Sequence, residues 1–286
     1  MMKYISLLIL LLSISFPLFS TEKVNILGVE MEWDGYKVKE NETDLDPYST
    51  SFDDIGEGRF FQSEYPVDKE RYTINQGNMG ETEVIHIHSD NPGPIIYIVA
   101  GVHGDERAAW YAGIIMENAT IRSGDLYILS PANKPGAERR NRYFYSSQDL
   151  NRSFPGSLDG TEAEKMAYAI FQDIKRVEPD FVLDLHEAIV YTEGRDFLGS
   201  TYIFSDLDLM SDLFFDLLWA TEEGELCHNP FSYTGPGPLG SLNNTVSFQL
   251  KIPVITVETF RGFDIKRRVY DQLDSVQFVL DYYGMV

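Results

Sequence analysis

His103 and Glu106 stand three residues apart in "GVHGDE" (101–106), directly after the apolar run "PIIYIVA" (94–100). At that spacing in a turn, an imidazole and a carboxylate fall on the same side and can reach one metal ion together. "DFVLDLHEA" (180–188) carries His186 and Glu187 at the end of a second apolar run, and "IPVITVETF" (252–260) carries Glu258 at the end of a third. Two histidines and a glutamate commonly hold zinc while leaving a position for water or substrate. A metal held this way lowers the pKa of water to about 7, and a carboxylate that is not a ligand can then take the proton. Glu258 has the position for that base. A lone His-x-x-Glu or a lone "DLH" arises often by chance, so the weight rests on their joint arrival at three run ends.

"PGAERRNRYFYSSQDLNRSFPG" (135–156) adds arginines 139, 140, 142 and 152 to a chain whose formal net charge is −22. A guanidinium beside an asparagine grips a carboxylate through paired hydrogen bonds, and Asn151 with Arg152 in "DLNRSFPG" suits that task. A further arginine near the metal can hold the oxyanion that forms as water attacks an amide. Arg139 and Arg140 fit equally well into a surface salt-bridge network.

These residues need a frame that delivers them to one place. The alternating segments "RYTIN" (71–75) and "ETEVIHIHS" (81–89), joined by "QGNMG", predict a hairpin. Strands follow at 94–102, 125–132, 180–188, 201–205 and 252–260, and helices at 105–119, 161–176, 208–225 and 264–284. Thr161 with Glu164 three residues later marks a helix start, and 230–240 reads as a glycine- and proline-rich loop. Strands alternating with helices predict a mixed, mostly parallel sheet covered on both faces, with its ligand site beyond the carboxyl ends of the central strands.

A hydrophobic fraction of 43% with 13% aromatics describes a packed globular chain, and the net charge of −22 argues against a nucleic-acid partner. Cys227 is the single cysteine, so no internal disulfide and no cysteine-based zinc site can form; it reads as a small apolar residue. The start, "MMKYISLLILLLSISFPLFSTEK", has a basic residue, an apolar run and then polar sequence. It reads as a signal peptide over 1–20 cut near Ser20, an uncleaved anchor being the alternative, so the mature protein is expected outside the cytoplasm, periplasmic or secreted. Once the signal is cut, no stable membrane partner is expected. Residues 21–70 show no sustained periodicity and read as loosely structured, with one catalytic domain over 71–286.

"GVHGDE", "DLNRSFPG", "DLHEA" and "ITVETF", in this order, resemble the zinc carboxypeptidase superfamily and, within it, the succinylglutamate desuccinylase/aspartoacylase branch. The resemblance covers about residues 70–285. It implies a three-layer α/β/α sandwich with a central mixed sheet and one catalytic zinc. It matches His103, Glu106 and His186 to the zinc ligands, Glu258 to the general base, and Asn151 and Arg152 to the carboxylate-binding pair. Arg142 resembles the oxyanion-stabilising arginine, with Arg140 its rival because Arg142 stands nine residues before Asn151. Tyr233, in "FSYTGPGPLGS", resembles the mobile substrate-binding tyrosine of the carboxypeptidases through a loose loop match. The 79 residues between Glu106 and His186 are a short crossing that favours the deacylases. Because the sequence ends soon after Glu258, the extra carboxy-terminal domain of aspartoacylase is expected to be absent, which tells against that specificity.

Competing readings are weaker. His86 and His88 in "VIHIHS" share a strand face, where His-x-His can chelate a metal, but no third ligand is apparent nearby and packing at the sheet edge serves as well. His228 reads as a loop residue. No Gly-x-Ser-x-Gly elbow supports a serine hydrolase. An inactive exported binding protein would lack a ligand or the base, and none is missing. The sequence therefore predicts a zinc-dependent hydrolase of amide bonds, acting on a small molecule or short peptide with a free carboxylate. A deacylase of N-acyl amino acids is the first reading and an exported metallocarboxypeptidase the second.

Overall fold

The computed structural model describes residues 22–26, 29–33, 45–56, 60–61, 64–189, 199–227 and 231–286. The chain divides into two units, 1–41 and 42–286. In the first, β1 (Glu22–Ile26) and β2 (Val29–Trp33) pair as an antiparallel hairpin. The second runs α1 (Phe52–Ile55), β3 (Val67–Ile74), β4 (Thr82–Ser89), β5 (Ile95–Ala100), α2 (Arg107–Met116), β6 (Asp125–Leu129) and α3 (Lys134–Arg139). It continues with α4 (Glu162–Val177), β7 (Phe181–Ala188), β8 (Thr201–Phe204), α5 (Ser211–Glu222), β9 (Ser232–Thr234), α6 (Leu242–Leu250), β10 (Val254–Phe260) and α7 (Ile265–Tyr282).

One eight-stranded sheet, in the order β3-β4-β6-β5-β7-β10-β8-β9, forms the middle layer of the second unit. β6, β5, β7 and β10 lie parallel at its centre, while β4 joins β6, and β8 joins β10, antiparallel. The near-continuous apolar runs of β5 and β7 follow from burial on both faces, since helices cover each side. On one face, α2 and α7 pack over Ile98, Leu183 and Ile255; on the other, α4 and α6 close over Tyr97, Val182 and Val254. This is the three-layer α/β/α sandwich expected from the alternation of elements.

Local chemistry sets the covering helices. In α4 the Thr161 hydroxyl accepts from the Glu164 amide, and the Glu164 carboxylate accepts from the Thr161 amide. Glu162 and Glu164 sit at its positive end and Lys175 and Arg176 at its negative end, while Ala163, Met166, Ile170 and Ile174 form the buried stripe.

Three differences from the sequence reading have physical causes. Within 21–70 the structure holds the β1–β2 hairpin, the helix α1 capped by Ser51, and the first four residues of β3. Phe52, Ile55, Phe60 and Phe61 are buried, and Phe60 meets Tyr270 of α7 edge-on at 5.2 Å. A four-residue helix is too short to show a period, so this anchoring was invisible to pattern reading. β9 falls inside the expected 230–240 loop, where pairing with β8 supplies what "SYT" lacks in length. α6 was not anticipated, because "LNNTVSFQL" is poor in strong helix formers; the Ser241 cap and the buried Leu242 and Val246 sustain it. The signal-peptide reading of 1–20 and His228 lie outside the described residues. Among those described, no helix is long and apolar enough to cross a membrane.

Candidate metal and substrate site

The site begins where β5 ends. Gly101 takes φ +75°, and Gly104 lies so close to α3 that an added Cβ would meet the Gly136 carbonyl carbon at 2.0 Å. Glycine at 104 thus lets the turn sink against α3 and aim His103 and Glu106 back over the sheet. One strand over, in β7, His186 pairs in register with Glu258 of β10, so both side chains leave the sheet on the same face. Asp184 and Thr256 form the row beneath them.

Three donors converge. His103 Nδ1 lies 2.7 Å from Glu106 Oε1, and His186 Nδ1 lies 2.7 Å from Glu106 Oε2. The two rings meet edge to face with centroids 4.9 Å apart, and all three residues are buried. Their ligand atoms lie within 4.8 Å of one another, close enough to share one ion. A pair of imidazoles with one carboxylate is the donor set of an open zinc site, and the opposite flank faces a cavity of about 290 Å³. The residues fit the metal.

Each donor is held from behind. His103 Nε2 meets Asp149 Oδ1 at 3.1 Å, and His186 Nε2 approaches Asp184 Oδ1 at 3.0 Å. The Glu187 amide donates to Glu106 Oε2, and the Gln272 side chain donates to the His186 carbonyl. Such partners fix ring orientation and raise ligand basicity. Burial works against the charged forms of His103 and His186, but Glu106 with Asp149 and Asp184 with Glu106 outweigh it and raise both pKa values. Burial likewise opposes ionisation of Glu106, yet the two histidines hold its carboxyl well below the usual range.

Glu258 is partly buried on the cavity wall. Burial pushes its carboxyl up to about 7, with Glu106 and Asp184 adding to the shift and the two histidines opposing it. That is the range in which a carboxylate exchanges protons at neutral pH.

The cavity also brings in Arg142, Asn151 and Arg152. Arg142 reaches Glu106 at 3.4 Å and Asp149 at 3.2 Å, whereas its rival Arg140 is an exposed residue closing α3. The Leu242 amide donates to Asn151 Oδ1 at 2.9 Å, which turns the Asn151 amide nitrogen toward His186, 3.4 Å away. Arg152 donates to the Asn151 carbonyl and keeps the rest of its side chain exposed at the rim.

One expected site residue is elsewhere. Tyr233, on β9, hydrogen-bonds Thr221 of α5 and lines a separate cavity of about 430 Å³ with Phe204 and Phe214. The loose loop match located the segment but not the side chain. Glu187 also departs from its neighbour: alternation turns it to the opposite face, where it accepts from the Ala108 amide and pairs with Arg268 in full burial. Sequence reading missed Asp149 and Asp184, although each lies two residues from a candidate, in "DLN" and "DLH", and Asp184 shares the face of His186 by strand alternation. It also missed Asp125, which meets both His86 and His88 across the β4–β6 pair. Nothing local in sequence announces that pairing.

Residues 92–230 match the family model of the succinylglutamate desuccinylase/aspartoacylase catalytic domain, the branch that the four motifs resemble. His103, Glu106, Asn151, Arg152 and His186 lie inside that match, and Glu258 lies beyond it. No curated protein matches in sequence. Among solved structures, the fold resembles a succinylglutamate desuccinylase from Silicibacter sp. TM1040, with TM-score 0.58 and 17% identity over 79% of this chain and 72% of that one. An aspartoacylase family protein from Mesorhizobium loti gives 0.56 and 21%, over 78% and 68%. The cell shape determinant Csd4 from Helicobacter pylori, solved with a tripeptide bound, gives 0.58 and 18%, over 72% and 56%. At these identities the likeness is one of fold.

Proposed function

We propose that this chain belongs to the succinylglutamate desuccinylase/aspartoacylase branch and is a zinc-dependent hydrolase of amide bonds in substrates that carry a free carboxylate. The observation that carries the reading is the convergence of His103, Glu106 and His186 beside a cavity that also holds Glu258 and an arginine–asparagine pair. Zinc bound by those three residues would supply a Lewis acid for the amide carbonyl and a lowered pKa for water.

The protein's own groups do the rest. Asn151, fixed by the Leu242 amide, and Arg152 at the rim grip the substrate carboxylate and orient the scissile bond. Glu258 takes a proton from the attacking water and returns it to the departing amine. Arg142, within reach of the ligand carboxylate, faces the oxyanion that develops as the carbonyl is attacked. Asp149 and Asp184 hold the imidazoles in place for the whole cycle.

The substrate favoured is an N-acyl amino acid, in keeping with the matched family and the short crossing between Glu106 and His186. The tripeptide bound by Csd4 supports trimming of a peptide's carboxyl end as the second reading. A panel of acylated amino acids and tripeptides, assayed with wild type and Glu258→Gln, separates the two. Hydrolysis of acyl-amino acids that the variant loses is the expected outcome; tripeptides hydrolysed alone would favour the second reading. Export is part of the same proposal, and it is tested by sequencing the amino terminus of the mature protein from cell fractions.

A further inference from the structure

The β3–β4–β6 side of the sheet carries another cluster of ligating side chains, away from the strand ends that hold the first. Strand alternation puts His86 and His88 on one face of β4. Asp125 stands directly across from His88 in the β4–β6 register, and Tyr127 across from His86. His86 Nε2 lies 2.5 Å, and His88 Nδ1 2.8 Å, from the same oxygen, Asp125 Oδ1. The row continues from Tyr127 to Tyr97 and on to Val182, four residues before His186, so the cluster sits at the start of the parallel strands.

We propose that His86, His88 and Asp125 form a second site for a divalent transition-metal ion of the zinc class. Two imidazoles and a carboxylate on two adjacent strands are the donors such ions take, with remaining positions open to water. Zinc–nitrogen and zinc–oxygen distances of about 2.0–2.2 Å at tetrahedral angles set donors roughly 3.3 Å apart. Asp125 therefore needs to retreat by less than about 1 Å from the two rings to admit the ion.

The ligands are prepared for this. The His86 ring lies flat on Tyr127 at 4.2 Å and 5°, and Tyr127 stacks in turn on Tyr97, whose hydroxyl is tied to Asp173. That stack fixes the plane in which His86 offers its nitrogen. Asp68 and Glu70 of β3 are the register partners of His88 and His86, so two more carboxylates share the face. Arg176, whose guanidinium lies over Tyr72, is neutralised by Asp173 at 2.6 Å and does not oppose a cation. His88 is half exposed, which gives an ion a way in. His86, His88 and Asp125 do not line the cavity that holds Glu258, so the role that fits is a clip joining β4 to β6 and not a second reaction centre. An ion that binds only the folded chain stabilises it by mass action.

Equilibrium dialysis of the full chain against micromolar Zn²⁺, followed by elemental analysis, tests this. Wild type is expected to hold two zinc ions per chain, and His88→Ala and Asp125→Asn one each with hydrolytic activity intact. His186→Ala is also expected to keep one, and added Zn²⁺ should raise its melting temperature but not that of His186→Ala/His88→Ala. If wild type and His88→Ala both hold one ion, the second site does not exist. If wild type holds one and His88→Ala none, the second site stands and the catalytic metal of the proposed function fails. Circular dichroism establishes that each variant is folded, and Asp125→Asn decides the matter if His88→Ala is not.

Discussion

Glu258 shows how one side chain serves chemistry at the expense of stability. Its carboxyl is raised to about 7 from an ordinary 4.5, so in the folded chain its charge is unfavourable. Stability linked to it is fully present below about pH 4.5 and is lost as pH rises through 7. Chelated Glu258→Gln should therefore match wild type in acid and gain about 3 kcal/mol above neutrality, read from urea midpoints across pH. The same substitution should lower turnover by at least about 10²-fold. A variant that kept its rate would remove Glu258 from the mechanism. Arg152→Ala should raise KM with turnover little changed, because it grips a part of the substrate remote from the bond broken, whereas Arg142→Ala should lower turnover. Steady-state kinetics on one substrate distinguishes the two arginines. Tyr233→Phe should leave both constants unaltered, since its hydroxyl serves Thr221 and not the cavity.

Elements turn these residues into a site. β7 delivers His186 to the cluster with His103 and Glu106, and the Glu187 carboxylate to the α2–α7 layer, so a single dipeptide couples the metal ligands to a buried ion pair with Arg268. Removing one partner of such a pair leaves a charge stranded in the core. Arg268→Met should cost about 3–5 kcal/mol, with a fall in melting temperature measured by calorimetry; a change within 0.5 kcal/mol would mean that water reaches Glu187. The short elements explain what sequence could and could not disclose. His103, His186 and Glu258 were legible because long apolar strands end beside them and alternation has only one phase. Glu187 was legible as a strand-end polar residue, but its buried partner Arg268, 81 residues further on, was not. α1, α6 and β9 draw their stability from capping and neighbours, not from a period of their own.

At the scale of the molecule, the second unit's sheet order explains why four distant motifs meet. β5, β7 and β10 are adjacent and parallel, so residues 103, 186 and 258 arrive at one edge although they are spread across more than half the chain. The order of elements predicted that architecture, because alternating strands and helices admit few right-handed arrangements. Asp125 beside His86 and His88 was not legible, since antiparallel β4–β6 pairing skips over β5. The central claim is that metal held by His103, Glu106 and His186 carries the hydrolysis. Its most direct test is the rate of acyl-amino acid and tripeptide hydrolysis by the chelated chain as Zn²⁺ is returned, in wild type and His186→Ala. Activity abolished by chelation, restored by zinc in wild type and absent throughout in His186→Ala is the expected result. Undiminished hydrolysis by the chelated protein would contradict it.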